Sequence, residues 1–190
     1  MLDALQIQRG AGSRRGAAYR GRLAREGRIV SPVTIREYRD RDLDEVIAIA
    51  RDLQAYEAGF YDRLKPSEEI GPWYVEELRA EALKHKGKLL VAEQGGKVVG
   101  YAALFIEVSS EDQREEIHYT CSYVNDLAVA ENHRGQGIGR LLMHECEERA
   151  RDAGQKWIRL GVHAGNREAR RFYEQQGLEE RFLTLEKRLT

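Results

Sequence analysis

The sequence predicts a single α/β domain behind an Arg-rich leader, and three observations carry that prediction. Hydrophobic periods of two and of three to four alternate through residues 33–189, in the order β-α-α-β-β-β-α-β-α-β. The 190 residues are enough for one well-filled core and short for two. A strand pattern also runs directly into the glycine-alternating turn Gly135-Gln136-Gly137-Ile138-Gly139 and on into a helix pattern, the local build of an anion-binding loop.

Each element has its own signal. Val33–Tyr38 alternates like a strand with one buried face. After Asp40-Arg41-Asp42, the residues Leu43, Val46, Ile47, Ala50 and Leu53 form the apolar stripe of a helix. Tyr56–Gly71 reads as irregular and mixes aromatics with charge (Tyr56, Glu57, Phe60, Tyr61, Asp62, Arg63, Glu68, Glu69). Pro72 suits the first turn of a second helix over Trp73–Lys86, which Gly87 ends. Leu89–Glu93 and Val98–Val108 are predicted strands joined by the two-residue turn Gly95-Gly96. Ser109–Glu116 is an acidic connection, and Tyr119–Ala130 is the next strand. Ile138, Leu141, Leu142, Cys146, Ala150 and Ala153 mark the helix after the glycines; Gly154 closes it, and Trp157–Val162 is a strand. Asn166 is a natural N-cap for a helix over 167–176, with Gly177 as its stop. Leu178–Leu189 supplies a final strand or strand pair, and no internal repeat appears.

Composition narrows the function classes. Hydrophobic content is 42% and charged content 33%, and no apolar stretch approaches the ~20 residues that span a bilayer. The net charge of −1 conceals an asymmetry. Residues 1–31 hold seven Arg against two acids, a net of +5, whereas the rest carries 24 bases against 30 acids. This leader shows no sustained apolar period and is expected to be a disordered or loosely helical tail, with the domain proper over 32–190. A transit peptide, a nucleic-acid arm or translation from an upstream start would share its composition; the apolar core of a secretory signal is missing. Cys121 and Cys146 are too few for a disulfide framework, which favours a reducing, cytoplasmic setting. His85, His118, His133, His144 and His163 show no metal-ligand spacing, and no metal is predicted. Membrane and nucleic acid are not expected partners of the domain.

The chemistry lies in the loop Arg134–Arg140. The first turn of a helix has N–H groups without internal partners and a positive dipole end. Glycines remove the Cβ atoms that would keep an anion away, and Arg134 and Arg140 flank the loop with two cations. A turn that merely joins strand to helix is the plainer alternative. The dinucleotide fingerprint is excluded, because its third glycine would fall on Arg140 or Leu142, and so is the P-loop, which needs Gly-Lys followed by Ser or Thr. What remains is Arg-x-x-Gly-x-Gly, carried by Arg134, Gly137 and Gly139.

Here the sequence resembles the GNAT family of acetyl-CoA-dependent N-acetyltransferases, whose signature is Gln/Arg-x-x-Gly-x-Gly/Ala. A second segment agrees: Val162, His163, Asn166, Ala169, Phe172, Tyr173, Glu174 and Gly177 read V-H-x-x-N-x-x-A-x-x-F-Y-E-x-x-G, similar to that family's last strand-to-helix passage. The resemblance covers residues 33–189 and implies the GNAT fold, a mixed, mostly antiparallel sheet of six to seven strands with about four helices. It departs from the family after Gly177. Only a dozen residues follow where two strands and a loop are usual, so the seventh strand is missing, fused to the sixth, or supplied by a partner chain in a homodimer.

The resemblance implies acetyl-CoA as cofactor, with CoA as product. Leu127, Ala128 and Val129 would hold pantetheine and polarise the acetyl carbonyl through backbone N–H groups. Arg134, Gly135, Gln136, Gly137, Ile138, Gly139 and Arg140 would take the pyrophosphate, and Asn166 would hydrogen-bond the cofactor. Tyr173, sharing a helix face with Ala169 and Phe172 by i, i+3, i+4 spacing, would also line the cofactor and protonate the departing sulfur. The base is less evident. Alternation along the strand puts Asn125, Tyr123 and Cys121 on the face of Leu127, where family bases are carboxylates or histidines, and Asp126 on the other face, where it would orient structure. Asn125 or Tyr123 would then hold a water that relays the proton to Glu57, His118 or Asp126; an amine arriving already deprotonated is the alternative.

The expected reaction is direct transfer of acetyl to a primary amine on a small cationic molecule or a protein. A cationic acceptor suits the acidic segments Glu57–Glu69 and Glu111–Glu116. The rival reading is a GNAT-fold regulatory module that binds CoA and does not catalyse.

Overall fold

The structure, a computed structural model, describes residues 31–109 and 117–189. The Arg-rich leader up to Val30 and most of the acidic connection (residues 110–116) lie outside the described residues. The elements follow the predicted order: β1 (Val33–Glu37), α1 (Leu43–Glu57), α2 (Pro72–Lys84), β2 (Lys88–Gln94), β3 (Lys97–Ser109), β4 (Thr120–Val129), α3 (Ile138–Asp152), β5 (Ile158–Leu160) and α4 (Arg167–Gln175). The sheet order is β1-β2-β3-β4-β5. The first four strands pair antiparallel, and β5 pairs parallel to β4.

The sheet separates two cores. On one face α1 and α2 bury Val46, Ile47, Val75 and Leu78 against Val91, Tyr101, Ala103 and Phe105. On the other, α3 buries Ile138, Leu142, Met143 and Cys146 against Leu90, Ala102, Leu104 and Val124. Both strand faces are thus apolar, which is why β2 and β3 read as near-continuous hydrophobic runs. Arg36 fastens β1 to β2 and to the entry of α1, forking onto Asp42 at 2.6 and 2.9 Å and reaching Glu93. Burial pushes the Asp42 carboxyl up, but Arg36 and the Arg39 N–H outweigh it and hold it below the usual range.

Several local expectations are revised. The helical stripe of α1 runs on through Tyr56 and Glu57, so both sit on a helix rather than in an irregular stretch. Helix α2 ends at Lys84, and the residue with positive φ is Lys86 (55°), not Gly87. Gly87 is needed for another reason: a Cβ there would lie 1.8 Å from the Leu104 carbonyl oxygen. Among the described residues the sheet has five strands rather than six or seven. Trp157–Val162 shortens to Ile158–Leu160 because pairing with β4 lasts only three residues. Among the described residues Leu178–Leu189 forms no strand, because it makes no ladder with β5, the edge strand of the sheet.

The Gly87 contact sets a stability test. Gly87→Ala should lower unfolding free energy by at least about 2 kcal/mol, because backbone atoms on both sides must shift. Urea denaturation of the variant against the wild-type protein measures this.

Candidate active site

The site starts from a break in the sheet. Strands β4 and β5 pair only over Ser122–Val124 and Ile158–Leu160. Beyond Val124 the two chains part, and the cleft between them is lined by Val124–Val129 on one side and Gly161, Val162 and His163 on the other. Its volume is about 790 Å³.

A β-bulge sits where the strands part. Ala103 pairs with Asp126 and Leu104 with Val124, which leaves Asn125 as the extra residue. The bulge overturns the simple alternation expected along this strand. Val124, Leu127 and Val129 pack on the α3 side, whereas Tyr123 and Ala128 pack on the α1–α2 side. Tyr123 therefore does not share the face of Leu127; its hydroxyl lies against Gly161. Asp126 joins the α1–α2 side, where it accepts hydrogen bonds from Tyr74 and, at 3.0 Å, from Tyr101.

At the C-terminal end of β4 the chain makes a one-turn 3₁₀ helix (Glu131–His133) and enters the glycine loop. Gly135 and Gly137 have φ of 71° and 78°, a region that residues with a Cβ avoid. Gly137 is the N-cap of α3 and brings no side-chain cap. The N–H groups of Ile138, Gly139 and Arg140 precede the first helical hydrogen bond, from Leu141 N–H to the Gly137 carbonyl at 3.1 Å. Gly139 is held small by packing, since a Cβ would come within 3.3 Å of the Phe172 ring. Open N–H groups, a positive dipole end and two flanking arginines fit a pyrophosphate. Arg134 is anchored by its Nε–H on the Val129 carbonyl at 3.1 Å, with its guanidinium 5.5 Å over the Tyr56 ring.

Most of the sequence-predicted residues come together here. Leu127, Ala128, Val129, Arg134, Gly135, Gly137, Ile138, Gly139, Arg140, Asn125, Asp126, Asn166 and Tyr173 all line the cleft. Gln136 is not among the lining residues; its amide turns back to the Asn132 carbonyl at 3.2 Å. Asn166 is buried and caps α4 through Oδ1, which accepts the Ala169 N–H at 3.0 Å. Its carboxamide nitrogen is therefore the part left to face a ligand. Of the three proposed proton acceptors, Glu57 and Asp126 line the cleft and His118 does not, sitting instead against Ser109 at 3.1 Å.

The electrostatics of the deep end are set by two carboxylates. Burial raises the Glu57 carboxyl and Asp126 adds to the shift, while His163, 3.9 Å away, opposes it. Burial raises Asp126 too, against the hydrogen bonds of Tyr74 and Tyr101. The Tyr173 phenol is pushed up to about 12 by burial and then by the negative charges of Asp126 and Glu57. The cleft is thus cationic at the loop and anionic at its other end.

The profile of the Acetyltransferase (GNAT) family matches residues 53–178, from the last turns of α1 to the end of α4. The chain belongs to the GNAT family. As a member it is an acyltransferase. It is 31% identical over 156 residues to the thialysine N-epsilon-acetyltransferase of Bos taurus, covering 78% of this chain and 85% of that protein. It is 32% identical over 103 residues to the uncharacterized N-acetyltransferase YhfO of Bacillus subtilis, where the match takes in 54% of this chain and 66% of YhfO. Among solved structures, a variant of the BH1408 protein of Bacillus halodurans superimposes with a TM-score of 0.73 at 24% identity, covering 82% of this chain and 99% of that one. The ribosomal-protein-alanine N-acetyltransferase of Brucella melitensis does so with a TM-score of 0.59 at 30% identity, covering 78% and 85%.

Sequence reasoning did not find Tyr74 and Tyr101. They lie on α2 and β3, 52 and 25 residues before Asp126, and no local pattern announces the meeting. Their effect on this GNAT site is measurable. Tyr74→Phe removes a hydrogen bond that lowers the Asp126 pKa, so the carboxyl should titrate at higher pH in the variant. A carbon-detected NMR titration of the Asp126 carboxyl reads that direction; an unchanged midpoint would mean the hydroxyl does not serve it.

Proposed function

We propose that the chain transfers the acetyl group of acetyl-CoA directly to a primary amine, on a small cationic molecule or on a protein. The observation that carries this reading is the polarity of the cleft. An anion-binding helix N-terminus lies at one end, two carboxylates and a phenol lie at the other, and unpaired β4 backbone runs between them. When bound, acetyl-CoA supplies the acetyl group as an activated thioester.

The chain's own residues then divide the work. The loop 134–140 holds the pyrophosphate through its N–H groups with Arg134 and Arg140. The Leu127 and Val129 N–H groups, free of strand partners on the β5 side, hold pantetheine and polarise the carbonyl. Asn166 offers its amide from the head of α4. Glu57, directly or through a water at Asn125, takes the proton of the incoming ammonium; its raised pKa moves it toward the range in which a base works near neutrality. Asp126, clasped by two tyrosines, fixes the negative potential of the site. The Tyr173 hydroxyl holds the proton for the departing sulfur, and an arriving cation offsets the charges that raise its pKa. Among the described residues that line the cleft there is no Cys, Ser, Thr or Lys, which favours direct transfer over a covalent enzyme intermediate.

A cationic acceptor is favoured by Glu57, Asp126 and Glu168 in the lining and by the relative named for acetylating the ε-nitrogen of thialysine. The two free cysteines suit a reducing compartment such as the cytoplasm. The rival reading, a silent CoA-binding module, loses ground because two carboxylates of raised pKa do reach the cleft.

Calorimetric titration with acetyl-CoA, beside an Arg134→Ala/Gly137→Ala double variant, tests the cofactor site. Binding should be measurable for the wild type and absent in the variant; no wild-type binding would overturn the assignment. Tyr173→Phe should lower turnover while leaving acetyl-CoA affinity nearly unchanged, and equal loss of both would sink the acid role. The base has its own signature. Wild-type kcat/KM should fall as pH drops through the raised Glu57 pKa, because protonation removes the base, while Glu57→Gln should lower the plateau by ~10²–10⁴-fold and flatten that limb.

A further inference from the structure

Arg134 opens the glycine loop and is exposed. A free arginine at such a place samples many rotamers, and a ligand that must fix one of them binds more weakly for the entropy lost. In this chain the rotamer is held before any ligand arrives. The Nε–H donates to the Val129 carbonyl at 3.1 Å, and the guanidinium lies 5.5 Å over the Tyr56 ring. Neither contact takes a hydrogen from the terminal Nη groups, which keep their donors for an incoming anion.

Tyr56 can hold Arg134 because its own ring is fixed. It stands in the last turn of α1, and the chain just beyond stays wound. The Phe60 and Tyr61 N–H groups both donate to the Glu57 carbonyl, at 2.8 and 3.1 Å. That turn brings the Phe60 ring edge-on to Tyr56, with centroids 5.1 Å apart and planes at 82°, a favoured aromatic arrangement. Phe60 in turn fills the space over Gly165, where a Cβ would come within 3.0 Å of its ring. The Tyr56 hydroxyl reaches the Glu168 carboxylate, in the first turn of α4, at 3.5 Å. A continuous stack therefore runs from Gly165 through Phe60 and Tyr56 to Arg134, and it ties the end of α1 and the head of α4 to the loop.

We infer that Tyr56 is a positioning residue for the cofactor, its ring presenting Arg134 to the pyrophosphate in the rotamer that binds it. This deepens the acetyl-CoA site proposed above and rests on that reading. The face of a phenol suits a guanidinium, which is planar and weakly hydrated and can stack while its in-plane N–H groups stay free. The hydroxyl serves only the tether to Glu168. Without the stack, the ligand itself would have to order Arg134. Tyr56 also precedes Glu57, so one turn of α1 sets both the anchor of the acetyl donor and the proposed base.

Calorimetric titration of acetyl-CoA into the full chain and its variants tests this. Tyr56→Leu should raise the dissociation constant about two- to fivefold, the range of an exposed cation–π contact. Tyr56→Phe keeps the ring and should bind as the wild type does. In an Arg134→Ala background, which keeps the glycine loop and removes the cation, Tyr56→Leu should change the constant no further. Ring currents give a second reading that needs no ligand: the NMR resonance of the Arg134 Nε–H should move in Tyr56→Leu and stay in place in Tyr56→Phe. Unchanged affinity in Tyr56→Leu, an equal loss in Tyr56→Phe, a further loss in the Arg134→Ala background, or a resonance indifferent to Tyr56→Leu would each overturn the inference and leave the cofactor site standing. A wild-type protein that binds no acetyl-CoA would overturn both.

Discussion

Parallel pairing between β4 and β5 spans three residues, and the cleft follows from where it stops. A strand that remained paired to Val129 would have its N–H groups spent on a neighbour. Released after Val124, the same backbone offers donors to a ligand, with the positive end of α3 waiting beyond it. The bulge at Asn125 acts at the same point. One extra residue rotates the strand by half a period, bringing the Asp126 carboxylate round to the α1–α2 side without disturbing Val124 behind it. One local irregularity in one strand thus supplies both polarity and opening.

What could be read directly from the chain was what depends on near neighbours. The Gly95-Gly96 hairpin, the glycine loop, the Asn166 cap and the α4 face carrying Tyr173 are each set within a few residues, and each stands where its local chemistry puts it. The faces of β4 could not be counted correctly, because a bulge is fixed by pairing with β3 and leaves no mark in a run such as Tyr123-Val124-Asn125-Asp126. Lys86 took the left-handed position and left Gly87 to the steric task, a division decided by the distance to Leu104 and invisible to propensity. Glu57 and Asp126 stand 69 positions apart in the chain, and only the packing of α1 on the sheet shows that they belong to one site. For Leu178–Leu189 the pattern of a strand is present and a ladder to any described strand is not, since strand formation is a property of pairs.

Carboxylates at the deep end of the cleft have opposing consequences. Water is excluded enough to raise the pKa values of Glu57 and Asp126, which costs the unliganded protein stability wherever they remain charged. That same destabilised charge is what a desolvated ammonium would relieve. Tyr74 and Tyr101 limit the cost at Asp126 and leave Glu57, which His163 opposes through charge without a hydrogen-bonded clasp, as the more responsive of the two.

The two ends of the cleft are also made of different material. At the loop the groups that would meet a ligand are mainly backbone N–H, and the glycines matter for what they lack, so a residue with a side chain there would do harm. At the opposite end the surface is made of side chains carried by the last turn of α1, the stretch after it and the mouth of β5. Those can be exchanged one at a time while the sheet and the loop stay as they are. Under the proposed reaction, lineages descended from such a chain could keep one donor molecule indefinitely while changing what they modify, and a shared glycine loop would be poor guidance to a shared acceptor.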